Sequence, residues 1–366
     1  MDLVPAAPDD ARRTSDTDRA SDADHARRAR RGSTASLAVA VVLALLLAPA
    51  VAVTLARGVG YDRRTPFAQL VSVAPWFGAW ALLVGLTGLV VALAVVRRAG
   101  AARRTLLVVS AVAGVVVAVQ AVWWAPLATG STDAGSAGAT PELRVMTVNA
   151  FVGRADADAM VRTVREEGVQ VLAVEELSDG LLARLHAAGL DDALPYRVTG
   201  SVGPGNRGTG LWSALPLTDA DAGESTWFAM PSATLAAGSG VPVRVTAVHT
   251  VPPSVGSTSI WASDLRVVRD RLAGDPTAQV ALGDFNATRD HSGFRDVLGD
   301  RFADAADRGG HATLTWPTNR VFPPLVGIDH VLVDRSDTVT EVRTVRVPGS
   351  DHAALLATVG LVPASR

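Results

Sequence analysis

The chain has 366 residues, 48% of them hydrophobic, with a formal net charge of −2 and no cysteine. The missing cysteines exclude disulfides, thiol nucleophiles and thiolate zinc sites, and the length allows two domains. From Pro141 to Arg366 there are 20 Arg against 27 Asp plus Glu, a formal balance of −7, which argues against a domain that holds polyanions by charge alone.

Residues 1–31 are rich in Asp, Arg, Ser and Ala with few apolar positions, a composition that predicts a disordered tail. Residues 32–128 contain three uncharged apolar stretches. A helix needs roughly 20 apolar residues to cross the hydrocarbon core, so the reading is a three-helix anchor with spans near 36–56, 75–96 and 105–125. The second stretch, from Thr65 to Val96, is longer than a span needs, and Pro66 and Pro75 mark its entry. Trp76, Trp80, Trp123 and Trp124 fall near span ends, where amphipathic rings favour the interface. The tail and the loop between the second and third spans carry 11 Arg, while the loop between the first and second carries 3, namely Arg57, Arg63 and Arg64. That bias predicts a cytoplasmic N-terminus and an extracytoplasmic segment after the third span. A cleaved signal peptide fits less well, because the basic leader is long and two more spans follow. The spans hold no ionisable residue, so their reading is an anchor. Residues 129–141 read as a flexible Gly/Ser/Ala linker.

The remainder, 142–362, reads as one soluble α/β domain. Strands are predicted at Leu143–Val148, Val169–Val174, Thr209–Ser213, Val241–His249, Gln279–Leu282, Gly327–Val333 and Leu355–Val359. Helices are predicted at Asp156–Glu167, Ser178–His186 and Ile260–Ala273. Polar residues capable of chemistry recur where apolar strands end: Asn149, Glu176, His249, Asp284 and Asn286. Strand ends can present side chains rigidly to one cleft.

Asn149, Glu176, Asp284, Asn286, Asp329 and Asp351 supply hard oxygen atoms, a set that suits Mg²⁺ or Mn²⁺ (or Ca²⁺) better than zinc. His249 and His352 supply imidazoles that exchange protons near neutral pH. Metal, imidazole and amide donors together are the equipment for attack of water on a phosphate ester.

The ordered series Asn149, Glu175-Glu176, His249, Gly283-Asp284-Phe285-Asn286, Ile328-Asp329-His330-Val331 and Ser350-Asp351-His352 resembles the endonuclease/exonuclease/phosphatase superfamily, the deoxyribonuclease-I-like fold, over about residues 142–362. The resemblance implies an α/β sandwich of two packed, mostly antiparallel mixed sheets. It implies a metal site at Glu176, Asn149 and Asp351, and a catalytic group of His352, Asp329, His249, Asp284 and Asn286. In that scheme Glu176 is the principal metal ligand and Asp329 orients His352, the candidate base. Asp284 holds water or metal, and Asn286 and His249 contact the phosphate, His249 being also a candidate proton donor to the leaving oxygen. Glu175 stands where the family usually has Gln, which leaves Glu175 or Glu176 open as the ligand, although the apolar register from Val171 favours Glu176. Ala214 stands where the family commonly has Arg.

Other polar and aromatic residues have plainer readings. His330 is expected to be a hydrogen-bonded structural residue and His186 and His311 surface residues; His291 reads as a solvated loop residue or one facing the cleft, Trp316 as a core residue or part of the substrate groove, and Arg207 as solvated or a phosphate contact. The function expected is a membrane-embedded, extracytoplasmic, metal-dependent hydrolase of phosphodiester or phosphomonoester bonds, nuclease-like. A sphingomyelinase- or phospholipase-like activity on lipid head groups is the alternative, and a catalytically inactive binding module is the rival of another class. No protein partner follows from the sequence.

Overall fold

The computed structural model describes residues 10–95, 100–130, 141–205, 207–236 and 242–362. Among the described residues, four α-helices precede the first strand: α1 (Asp10–Gly58), α2 (Phe67–Ser72), α3 (Ala74–Val90), which continues as a π-helical turn at Val91–Val95, and α4 (Ala101–Thr129). Thr34–Gly58, Ala74–Ala94 and Ala101–Thr129 are each long and apolar enough to cross a membrane. The expected spans lie inside these bounds, except that the second was drawn to run on to 96. α1 runs back from its apolar part through the Arg/Asp-rich stretch to Asp10, where the composition had suggested a tail without structure. A helix already nucleated by an apolar span propagates at little further cost. Residues 1–9 and most of the expected linker lie outside the described residues.

The chain forms two compact units, Met1–Ala52 with Pro75–Gln120, and Val53–Ala74 with Ala121–Arg366. In the first, α1, α3 and α4 bury Ala50, Ala81, Ala92, Leu106, Ala113 and their neighbours. Small residues permit close approach: a Cβ on Gly85 would come within 2.7 Å of the Ala113 Cβ, and Ser110 Oγ donates to Gly85 O at 2.9 Å. Leu45, Leu83, Val108 and Val115 are exposed, as apolar residues facing lipid would be.

In the second unit the chain continues as β1 (Glu142–Asn149), α5 (Ala157–Glu166), β2 (Val171–Leu177), α6 (Asp179–Ala187), α7 (Leu190–Ala193), β3 (Tyr196–Thr199), β4 (Gly208–Ser213), β5 (Leu217–Asp221), β6 (Ser232–Ala236), β7 (Pro242–His249), α8 (Thr258–Gly274), β8 (Ala278–Asp284), α9 (Ser292–Leu298), β9 (Phe302–Asp304), α10 (Ala305–Gly309), β10 (Asp329–Asp334), β11 (Thr338–Arg346) and β12 (Ala353–Gly360). Two six-stranded sheets result, ordered β11-β12-β1-β2-β4-β3 and β5-β6-β7-β8-β10-β9. β1 and β2 pair in parallel, as do β7 and β8, and the other pairings are antiparallel. This is the expected two-sheet α/β sandwich.

The alternation of each strand sends one set of side chains between the sheets. Leu143 and Val145 of β1, Val171 and Ala173 of β2, Val245 and Ala247 of β7, Val280 and Leu282 of β8, and Val331 and Val333 of β10 share that inner core. The outer face of the first sheet packs α5 to α7 through Met160, Leu181 and Leu190. The outer face of the second packs α8 and α9 through Trp261, Leu265 and Phe294, and Ala68 of α2 joins that cluster. β3, β5, β6, β9 and β11 have no counterpart among the expected strands. In β11 a register shift between Val339 and Glu341 breaks the alternation, and β5 is almost wholly exposed, so neither carries a clean period of two.

Candidate active site

Following the inner-core columns to one end of the sandwich leads to the polar residues. Two residues beyond Val145 and Thr147 stands Asn149, beyond Ala173 stands Glu175, beyond Ala247 stands His249, and beyond Leu282 stands Asp284. On the antiparallel β10, Asp329 precedes Val331. The apolar layer therefore gives way to a polar one at a single edge, and cross-strand pairing locks it: His249 opposite Asp284, Asp284 opposite Asp329, and Asn149 opposite Glu175.

Hydrogen bonds hold this layer. Asn149 Nδ2 donates to Asp284 Oδ2 at 3.0 Å. The Asn286 amide donates to Asp284 Oδ1 at 2.8 Å, and Asn286 Nδ2 donates to Asp284 Oδ2 at 3.2 Å and to Thr250 O at 2.9 Å. Ser350 Oγ donates to Asn149 O at 2.6 Å and accepts from the His352 amide at 2.9 Å, which fixes the loop ahead of β12. His352 Nδ1 lies 2.8 Å from Asp329 Oδ2, and its Nε2 lies 3.9 Å from Asp284 Oδ2 and 4.0 Å from Asp351 Oδ1. Asp284, Asp329 and His352 are all buried, with ligand-type atoms within 4.8 Å of one another. Because Asp329 Oδ2 is already engaged by the imidazole, the group is better described as a histidine–carboxylate dyad facing a second carboxylate than as three free ligands.

The charges follow from this packing. Burial alone disfavours an imidazolium, but Asp329, Asp284 and Asp351 outweigh it and push the His352 pKa up to about 10. Burial and the neighbouring Asp329 raise Asp284 to about 7, against the opposing pull of His352. These carboxylates thus favour the protonated imidazole. His249 differs from expectation. It is 1% exposed, stacks on Phe228 at 4.0 Å between ring centroids, and its Nδ1 is buried without a partner. Burial and the nearby His352 push its pKa down to about 3. A buried neutral imidazole of this kind does not suit the proton-donor role expected of it.

Glu175 and Glu176 separate cleanly. The register from Val171 puts Glu175 on the inner face, so it does not by itself favour Glu176. Glu175 is fully buried, accepts from Thr147 Oγ1 at 2.9 and 3.1 Å, and is driven well above the usual carboxyl range by burial and by Asp329 and Asp284. Glu176 instead adopts φ +54° at an irregularity in the β2–β4 pairing. Its carboxylate accepts from the Val152 amide at 2.5 Å, with its pKa raised by burial and by Asp351 against opposing hydrogen bonds.

These residues open into a cavity of about 480 Å³, lined by Asn149, Glu176, Asp284, Asn286, Asp351 and His352 with apolar Phe151, Val152, Pro252, Pro253, Trp316, Val326 and Ile328. Four of the lining residues, Phe151, Val152, Glu176 and Asn286, have left-handed backbone, a conformation that non-glycine residues, and β-branched Val above all, adopt at a penalty. Gly283, with φ +148°, is required for a further reason: a Cβ there would sit 2.0 Å from Val248 O. Trp316, a core or groove residue by sequence, lines the cavity, is 38% exposed, and donates from Nε1 to Asp351 Oδ2 at 3.3 Å.

Three lining residues, Gln69, Ser72 and Val73, went unrecognised in the sequence. They lie in the surplus at the start of the second apolar stretch, where composition reads as more membrane helix. His291 is likewise buried, not solvated, and bonds this segment (Nε2 to Ala68 O, 2.7 Å). His330 is structural as expected: Nδ1 lies 2.6 Å from Asp304 Oδ2 and Nε2 lies 2.8 Å from Ala287 O. His186 and His311 are surface residues, and Arg207 is exposed and stacks over Trp227 at 4.8 Å.

The sequence profile of the Endonuclease/Exonuclease/phosphatase family matches residues 146–352. Among solved structures, a humanised D. rerio TDP2 is similar at a TM-score of 0.51 and 15% identity, over 60% of this chain and 99% of that one. D. rerio TDP2 in complex with a single-strand DNA product aligns at 0.50 and 16% identity, over 60% and 99%. An endonuclease/exonuclease/phosphatase from Beutenbergia cavernae aligns at 0.48 and 18% identity, over 60% and 72%. No curated protein matches the chain.

Proposed function

The chain belongs to the endonuclease/exonuclease/phosphatase family, and on that footing we propose that it is a membrane-anchored, extracytoplasmic, divalent-metal-dependent hydrolase of phosphate esters. The observation that carries the reading is the His352–Asp329 dyad set 3.9 Å from Asp284 at the floor of the cavity. The inactive-module alternative would lack one of these groups, and all are present and oriented.

The donor set fits a hard cation. Glu176 and Asp351 line the same cavity and repel each other, and Asn149 stands beside them, its Nδ2 donating to Asp284 and its Oδ1 accepting from the Phe151 amide at 2.9 Å. These three residues would hold the metal, Mg²⁺ or Mn²⁺ by ligand type. When bound, it would supply charge stabilisation at the phosphoryl oxygens and would offset the carboxylates that favour a protonated His352, leaving the imidazole free to act as a base. The protein's own residues do the rest. Asp284 Oδ2 and His352 Nε2 hold the attacking water between them, and His352 accepts its proton through Nε2. Asp329 keeps the Nδ1–H in place and stabilises the imidazolium that forms. Asn286 and Asn149 tie down the Asp284 carboxylate and brace the phosphate.

The extracytoplasmic placement rests on the arginine distribution. Its topology is supported by the grouping of Val53–Ala74 with the α/β domain, because two segments separated by a pair of spans return to one side. The test is hydrolysis of bis(p-nitrophenyl) phosphate by the full-length protein in nanodiscs with Mg²⁺, Mn²⁺ or Ca²⁺. A single-stranded oligonucleotide belongs in the panel, because a structural relative holds such a product. Metal-dependent turnover is expected. No turnover on any ester, with no metal binding by calorimetry, overturns the reading.

A further inference from the structure

The segment between the first two candidate spans is built into the α/β domain. Asp62 is fully buried and accepts from both the amide and the hydroxyl of Ser292. Arg57 Nε meets Asp290 Oδ1 at 2.5 Å while its guanidinium covers the Trp123 ring at 3.7 Å. His291 takes the Thr288 amide on Nδ1 at 2.9 Å, which leaves Nε2–H to donate to Ala68 O at 2.7 Å. Thr65 and Thr258 share a hydroxyl hydrogen bond at 3.0 Å, and Gln69 Nε2 donates to Pro253 O. Ala68 and Val71 are completely buried. Five polar anchors and two buried side chains over about fifteen residues fix this segment as firmly as an ordinary loop of the domain.

What it fixes is the wall of the catalytic cavity. Gln69, Ser72 and Val73 line it together with Pro252, Pro253, Val326 and Trp316. Gln69 Oε1 is buried and has no hydrogen-bond partner. Among the described residues lining the cavity none is Arg or Lys, while three, Glu176, Asp284 and Asp351, are acidic. A polynucleotide brings a row of phosphates that need cationic partners. This cavity provides for one phosphate, with its metal, and beside it an apolar surface. Val73 is followed directly by Ala74, the first residue of the candidate span Ala74–Ala94, so this lining residue sits at the start of a helix apolar enough to cross a membrane.

We propose that the inter-span segment Arg57–Val73 is a fixed wall of the cleft, and that it makes the cleft a binding site for a bilayer lipid carrying a phosphate ester: the phosphate on the polar floor, the acyl or alkyl chain along Val73, Pro252, Pro253, Val326 and Trp316. The inference rests on the phosphoesterase reading and names its substrate class. Gln69 and Ser72 offer polar contacts to the head group, and Val73 the first contact to the chain.

The test uses the full-length protein in phosphatidylcholine nanodiscs with Mg²⁺ or Mn²⁺ and two esters with one leaving group, methyl p-nitrophenyl phosphate and hexadecyl p-nitrophenyl phosphate, with a labelled single-stranded oligonucleotide as third substrate. The readout is the ratio of kcat/KM for the hexadecyl to the methyl ester. Wild type is expected to favour the long chain by about tenfold or more, in keeping with the transfer of several methylenes from water to an apolar wall. Val73→Asp should bring the ratio toward one. Val73→Thr, which keeps the side-chain volume and the fold, should lower it part of the way. Partition of the ester into the disc is the same for all three proteins, so only a wall contact moves the ratio between them. A wild-type ratio near one, a ratio unchanged in both variants, or oligonucleotide cleavage faster than either ester overturns the inference while leaving the phosphoesterase reading standing. No turnover of any substrate overturns that reading, and the inference with it.

Discussion

Asp284 and Asp329 face each other as direct cross-strand partners on β8 and β10, two buried carboxylates that would repel were His352 not held against both, by a 2.8 Å hydrogen bond to Asp329 and a 3.9 Å approach to Asp284. Like charges at such positions destabilise a sheet. Here the histidine, set against both, offsets the conflict. Neither carboxylate can be removed without changing what the imidazole does.

Replacing the imidazole should therefore be the most damaging change to the chemistry. His352→Ala is expected to lower kcat by about 10²–10⁴-fold, the usual worth of a positioned general base. Asp329→Asn should lower kcat with little change in KM, because it disturbs the orientation and charge of His352 and not the contact with the ester. Steady-state kinetics on an aryl phosphodiester distinguish the two, and full activity in His352→Ala would remove it from the base role.

The adjacent glutamates should behave in opposite ways. Glu176→Gln is expected to weaken metal binding by calorimetry and to lower turnover by orders of magnitude. Glu175→Gln should keep activity within a few-fold, because Glu175 is fully buried against Thr147, burial and two neighbouring carboxylates oppose its charge, and an amide matches its shape. The reverse pattern would show that the ligand is Glu175.

His330 makes a pH-dependent contribution to stability. Burial works against its charge, but Asp304 outweighs that and holds its pKa above the ordinary histidine value, with both ring nitrogens bonded to acceptors. A folded-state pKa above the unfolded one means that the stabilisation is fully present below the unfolded value, about 6.5, and is lost as pH rises through the folded value. Denaturant midpoints of the full-length protein should fall across that window, and in His330→Gln the fall should be absent. His330→Ala, which strands Asp304 in the interior, should lose about 3–5 kcal/mol.

Detaching the α/β domain from its anchor should be costly. A fragment beginning at residue 140 loses α2, the Asp62 contacts to Ser292 and the cover over His291 and Trp261. It is expected to be less stable than the full chain and to lose any preference for long-chain esters. Within the full chain, His291→Ala should cost about 1–3 kcal/mol, the usual penalty for leaving a buried acceptor, here Ala68 O, without its donor. Equal denaturation midpoints for fragment and full-length α/β domain would contradict the docking of this segment.

Topology is open to a direct check. A C-terminal reporter active only outside the cytoplasm should be active, and one fused after Arg98, between the second and third spans, should not. The opposite pair of results would reverse the orientation drawn from the arginines.

The sequence by itself determined seven of the strands and their order, the three apolar helices and the family, because these depend on local composition, on strand alternation and on an ordered series of polar residues. Asn149, Glu176, Asp284 and Asn286 were found as polar residues where apolar runs end, Asp351 and His352 through the ordered series that resembles the family, and the cavity brings these six together. Only the tertiary structure decided which glutamate enters the cavity, because a left-handed residue at a strand irregularity reverses the face that alternation assigns. It also withdrew His249 into a dry, neutral setting and set Trp316 at the cleft, outcomes that depend on what packs against each ring. The largest such effect is α2: six residues that in sequence look like more membrane helix become a wall of the cleft. Their role comes from Asp62, Ala68 and Gln69 meeting partners more than 180 positions away, which no local pattern in the chain records.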